Sequence, residues 1–329
     1  MKRLGSIAGV LLVFILAALA LVKIYDKGKD QKPLQYADIP QETIDWINSL
    51  AEGLDDIFST FNPTPRPTPW DNGGDVGKDP ESGLMMLEDE FFIIYYPESL
   101  EKKATLTLQL AHEAIPRLEE IIGKYYYPAD MNGRKVPIYL AKAQKDFNAL
   151  MDKFRCKGDF SNVAGITIYE ISPSGLFLKA IALKGSSVFK NDTYHREVLR
   201  HEMTHYCFAA SLDYNKRVNL PMWCTEGIAE YTGITGRRPE FSVGEIAMMR
   251  KDCDLSASSF PYVFEVYQGG HSIFCHMEDK FKVKGVKAFL QTLYLKDIPA
   301  SLQENFGMTL TSFENDWKAN LNKFKRKIG

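Results

Sequence analysis

Cysteine is scarce in this chain of 329 residues. There are five, an odd number, at positions 156, 207, 224, 253 and 275, and no two form a CxxC pair. A disulfide framework is therefore not indicated, while a single bridge such as Cys207–Cys224 stays open. An excess of charge of one sign is also lacking: 40 Lys and Arg stand against 42 Asp and Glu, a formal net charge of -2. That balance excludes a nucleic-acid binder that works through a basic surface. The chain shows no internal repeat. What it does have is an ordinary globular composition, 45% hydrophobic and 25% charged, enough to bury a sizeable core and against wholesale disorder.

The averages hide an uneven distribution. Lys2 and Arg3 precede an uncharged run from Leu4 to Val22, ended by Lys23. As a helix this run spans about 28 Å, close to the hydrocarbon core of a bilayer. Residues 1–22 are expected to be a transmembrane anchor. The competing reading is a signal peptide cleaved after Ala18-Leu19-Ala20, against which the length of the run speaks. Either way the remainder is expected outside the cytoplasm, held at the membrane by a single span or secreted. That remainder has 38 basic against 42 acidic residues, a net -4.

Residues 23–83 read as a juxtamembrane stalk. Ile44, Ile47, Leu50, Leu54, Ile57, Phe58 and Phe61 recur at helical spacing, so a helix is expected over 38–61. The alternating prolines from Asn62 to Pro69 follow as a semi-rigid spacer. The folded domain is expected over 84–329. Strands are expected at 91–96, 136–140, 166–171 and 176–183. Helices are expected at 100–125, kinked or split by Pro116, at 145–154, at 193–212 and from Thr225, with a mainly helical chain beyond Gly269. Strands early and helices late predict an α+β fold.

One helix carries the chemistry. His201-Glu202-Met-Thr-His205 is an HExxH motif. Its two imidazoles stand four residues apart, about 40° round the helix, and can reach one metal ion. Zinc suits such nitrogen ligands, and Glu202 can serve a metal-bound water as general base. Eighteen residues after His205 begins Trp223-Cys-Thr-Glu226-Gly-Ile-Ala-Glu230-Tyr231. Glu226 can supply the third zinc ligand. Gly227 would let two helices approach closely, and Glu230, one turn on, can accept the free N–H of a zinc-bound imidazole.

HExxH followed by W-x-x-E-G-x-A-x-Y resembles the gluzincin metallopeptidases, specifically the bacterial peptidase MA-like group. The similarity extends over roughly residues 88–325. Phe91 to Tyr96 resembles that group's opening strand, and Val136 to Leu140 with Phe147 its second strand and following helix. Tyr267-Gln-Gly-Gly270-His-Ser272 resembles its Y-x-x-G-x-S element, and Gly307 with Phe313-Glu314-Asn-Asp-Trp317 its closing helix. The resemblance implies a gluzincin-like domain with a small N-terminal β-sheet region, zinc-site helices and a mainly helical C-terminal half. It implies a zinc-dependent hydrolase of peptide or protein substrates, with His201, His205 and Glu226 as zinc ligands and Glu202 as the catalytic carboxylate.

Tyr267 is the expected donor to the tetrahedral oxyanion, because related aminopeptidases carry a catalytic tyrosine in a similar element; Gly269 stands where they have lysine. His271 is the rival donor. The strand at 176–183 is expected to be the edge that pairs with an extended substrate. Blander readings apply to His112 and His195, off the site, and to Cys275 and His276, in the core. Two other functions stay open: a binding or scaffold module without activity, and a zinc hydrolase of a non-protein amide. The oligomeric state is not legible.

Overall fold

The computed structural model describes residues 75–80, 82–123, 135–172, 175–212 and 220–327. The expected anchor, the stalk helix and the proline-rich spacer lie outside the described residues. No helix among the described residues is long and apolar enough to cross a membrane.

A six-stranded mixed sheet comes first. Strands β1 (Asp75–Lys78), β2 (Met85–Glu88) and β3 (Phe92–Tyr96) form an antiparallel meander. β4 (Val136–Ala141) lies parallel to β3. β5 (Gly165–Ser172) and β6 (Gly175–Lys184) form a hairpin whose second strand is parallel to β4. The lateral order is β1-β2-β3-β4-β6-β5. The sheet thus begins at Asp75, ahead of the expected boundary at Leu84. The strand at 176–183 is also not an edge. It is β6, paired on both sides, and Ala180, Ile181, Ala182 and Leu183 are all fully buried, as a strand covered on both faces requires. The hairpin carries β5 past it to the outside, so the edge is β5.

Helix α1 (Glu101–Ile121) joins β3 to β4 and α2 (Gln144–Lys153) follows β4. The sheet alternates between them. Ile138, Leu140, Ile181 and Leu183 join α1 in the main core, while Tyr139, Ala141, Ala180 and Ala182 pack with Phe147 and Met151 of α2 on the other face. Pro116 neither kinks α1 into two helices nor ends it. Its ring faces solvent, and the buried stripe of Leu108, Ala111, Ile115, Leu118 and Ile121 continues past it, so packing holds the helix across the lost hydrogen bond.

After β6 the chain is helical: α3 (Asp192–Ser211), α4 (Met222–Gly233), α5 (Val243–Asp252), α6 (Gly270–Leu295), α7 (Ile298–Phe306) and α8 (Leu310–Asn320). Strands early and helices late make this an α+β protein. α6 is broken at Lys282, which takes a left-handed φ of 64°.

Glycine sets how closely the helices approach. A Cβ on Gly227 of α4 would stand 2.6 Å from the carbonyl carbon of Gly270, at the start of α6. One on Gly270 would stand 2.6 Å from the carbonyl oxygen of Trp223. Contact at that range between backbones is open only to glycine. The same crossing is tied by polar contacts. The Trp317 indole donates to Ser272 Oγ at 3.0 Å, Ser272 donates to the Gly269 carbonyl at 2.7 Å, and the Trp223 indole donates to the Leu255 carbonyl at 3.1 Å. Gly227→Ala is expected to destabilise the fold by about 1–3 kcal/mol, read as a lower urea midpoint. Gly244→Ala, whose nearest neighbour stands 4.0 Å away, should leave the midpoint nearly unchanged.

Candidate metal centre

Helix α3 starts at an Asn191 cap, whose side chain accepts from the backbone N–H of Thr193 at 2.8 Å. Leu199, Met203, Tyr206 and Cys207 bury one flank of the helix. His201 and His205 emerge on another, half-buried, opposite α4. From α4 come Glu226 and Glu230, one turn apart. A Cβ on Gly233 at the end of α4 would stand 3.2 Å from His201 Cβ, so α4 is pressed against the zinc-motif helix at one end and against α6 at its middle.

The three expected ligands converge. His205 Nε2 stands 3.0 Å from His201 Nε2 and 3.2 Å from Glu226 Oε2, and His201 Nε2 stands 3.4 Å from the same oxygen. Among the described residues this is the only His, Cys, Asp and Glu group close enough to hold a metal ion. Tetrahedral bonds of about 2.0–2.1 Å would place ligand atoms about 3.3 Å apart, and the observed triangle fits that spacing. Behind it, Glu230 Oε1 lies 3.2 Å from His201 Nδ1. A carboxylate there accepts the Nδ1–H and leaves Nε2 facing the centre of the triangle.

Charge in this site is concentrated and buried. Burial works against a charged His201, but hydrogen bonds to Glu226 and Glu230 and the nearby Glu202 outweigh it and raise the imidazole to about 10. For Glu226 burial is likewise overcome, here by both histidines, and its carboxyl is held well below the ordinary range. The arrangement is built for a positive charge at the centre of the triangle.

Glu202 is buried, and Thr167 Oγ1 of β5 lies 2.9 Å from its Oε2. Tyr267 sits in a π-helical turn, Glu265–Gly269, that runs into α6. Its ring stacks on His201 with centroids 6.1 Å apart and planes 17° apart. Burial, with the carboxylates of Glu226, Glu202 and Glu230, pushes its phenol far above the ordinary tyrosine range, so it stays a proton donor. One cavity of about 540 Å³ brings together His201, Glu202, His205, Glu226 and Tyr267 with β5 from Gly165 to Tyr169.

His271 is not part of this group. It lies one helical turn beyond Tyr267, about 6 Å along the axis. Its ring is buried beside Tyr231, centroids 6.5 Å apart, on a separate cavity with Arg117 and Arg238. The remaining histidines lie apart from the triangle. His112 pairs with Asp89, His195 bonds to Thr107 Oγ1 at 3.1 Å, and His276 to Asp316 at 2.7 Å. All five cysteines are free thiols. Burial pushes Cys207 and Cys224 up to about 12, and the open bridge between them is not formed.

Sequence reasoning missed Gly165 and Thr167. Gly165 falls just ahead of the strand expected at 166–171 and Thr167 inside it, and neither carried a signal of its own. No protein-family model matches this chain, and a search of curated proteins finds no match.

Zinc-loaded protein is expected to retain about one equivalent of metal after dialysis. His205→Ala should abolish that retention, and Glu230→Gln should weaken it by about 10–100-fold. Competition with a chromophoric chelator measures both, and His112→Ala serves as the control that keeps full affinity.

Proposed function

We propose that this chain is a zinc-dependent hydrolase of peptide bonds, of the gluzincin type and similar to the bacterial peptidase MA-like group. Residues 1–22 would hold it at a membrane with the catalytic body outside the cytoplasm. The observation that carries the reading is the His201–His205–Glu226 triangle, with Glu202 and Tyr267 in the same cleft. The order of elements supports it: sheet first, then the HExxH helix, the glutamate helix and the tyrosine turn.

His201, His205 and Glu226 would hold the zinc, which would supply Lewis acidity toward a water and a carbonyl oxygen. Glu202 takes the proton of the attacking water and returns it to the leaving amine. Tyr267, kept protonated by its surroundings, donates to the oxygen on which negative charge develops. Glu230 holds His201 in place throughout. The substrate lies along β5, whose outer edge pairs with no strand among the described residues. An extended peptide can add there by main-chain hydrogen bonds. A second cavity, of about 430 Å³, meets the first at Gly165, His201, Glu202 and Tyr267 and continues past Tyr194, Glu197 and Arg237. The cleft therefore extends to both sides of the reacting groups.

Glu202→Gln is expected to keep its metal and to lose about 10²–10⁴-fold in kcat on a peptide found by library screening. Wild-type turnover in that variant would overturn the assignment. Tyr267→Phe is expected to lower kcat by about 10²–10³-fold with little change in KM, measured on the same peptide.

A further inference from the structure

We infer that Thr167, on the edge strand, is the positioning residue for Glu202. The inference rests on the hydrolase reading above and adds what fixes the base in place.

β5 alternates. Ile166 and Ile168 turn to the face that α2 covers, where they pack with the cluster of Tyr139, Phe147 and Met151. Gly165 and Thr167 turn to α3. Thr167 is 6% exposed. Its hydroxyl oxygen lies 2.9 Å from Glu202 Oε2 and 2.8 Å from the Glu202 backbone carbonyl. One β-branched side chain, stiff about χ1, therefore directs a single hydroxyl proton that is shared between two acceptors of one residue, its carboxylate and its backbone carbonyl.

Gly165 completes the seat. A Cβ there would stand 2.9 Å from Glu202 Cγ and 3.1 Å from Oε1. The glutamate side chain lies flat against the strand, in a space that only glycine leaves. With Oε2 tied to Thr167, Oε1 has no hydrogen bond to another described residue and is the oxygen left to take a proton.

Neither residue touches the histidines or Glu226 in a way that would hold metal. Their action is on the base alone. A glutamate has three side-chain torsions, and without the Thr167 hydroxyl nothing else among the described residues hydrogen-bonds its carboxylate. The strand that sets the base is also the strand on which the substrate is proposed to lie. Base and scissile bond are thus measured from one ruler, where a misplacement of about 1 Å costs about 100-fold in rate.

The test compares metal-loaded wild type, Thr167→Val, Thr167→Ala, Thr167→Ser and Gly165→Ala, on the full chain. The valine and alanine variants are expected to lose about 10–100-fold in kcat, with KM within about twofold of wild type and chelator-measured zinc affinity unchanged. Serine, which restores the hydroxyl, should return to within about threefold. Gly165→Ala should share the low-kcat signature. Crystal structures provide a readout that needs no activity: one Glu202 conformer bonded to residue 167 in wild type and Thr167→Ser, and a rotated or spread carboxylate in Thr167→Val. Wild-type kcat without the hydroxyl, a serine variant as slow as valine, or an unmoved Glu202 would each overturn the inference. If the wild type hydrolyses no peptide, the hydrolase reading fails, and the crystallographic comparison still decides whether Thr167 sets the Glu202 side chain.

Discussion

The His201–His205–Glu226 triangle depends on a contact between two glycines. Helix α4 crosses α6 at Gly227 and Gly270 with no side chain between the backbones, and its last residue, Gly233, lies against His201. Only at that depth does Glu226 reach within 3.2–3.4 Å of two imidazoles borne by another helix. A wider crossing would leave a histidine pair and a distant carboxylate, each solvated and neither a ligand set. The hydrogen bonds from Trp317 to Ser272 and from Trp223 to the Leu255 carbonyl brace the same crossing from outside. The C-terminal helices, remote from the chemistry in sequence, thus take part in the geometry of the site.

Burying so many ionisable groups in one place has a cost. Glu202, Glu226 and Glu230 surround two imidazoles, and an uncompensated charge in such a setting is strongly unfavourable. The site resolves the conflict by pairing: Glu230 on one nitrogen of His201, Glu226 against the other, and a centre that calls for a cation. The same carboxylates keep the Tyr267 phenol protonated, which is the state an oxyanion donor needs. One set of charges would therefore serve both a bound cation and the tyrosine.

Much of the candidate site's convergence was legible because helical periodicity is a strong and local rule. A spacing of four from His201 to His205, and of four from Glu226 to Glu230, places each pair on one face whatever the tertiary fold. What was not legible depended on lateral arrangement. β1 is four residues, Asp75 to Lys78, with Val76 exposed, and offers no alternation to detect. The strand at 176–183 was recognisable as a strand, but its hydrophobic run says that it is buried on both faces, not which strand lies outside it. His271 shares a helix with Tyr267, and sequence spacing could not say that one turn would carry it behind α4 to Tyr231. Pro116 reads as a breaker, and the apolar stripe on the far side of its helix overrides it.

Gly165 and Thr167 belong to a different class of information. No motif contains them, and their residue types are ordinary. They matter because an edge strand happens to cross the HExxH helix at Glu202, so that an absent Cβ and a single hydroxyl meet one carboxylate. A zinc motif supplies ligands and a base, yet a base with three free torsions is not a placed base. The placement comes from the sheet. On the proposed function, that division explains why the sheet and the helices, which divide along the chain into an early and a late half, have to form one cleft: the helices would hold the metal ligands, and the strand would hold the general base and offer a substrate its edge.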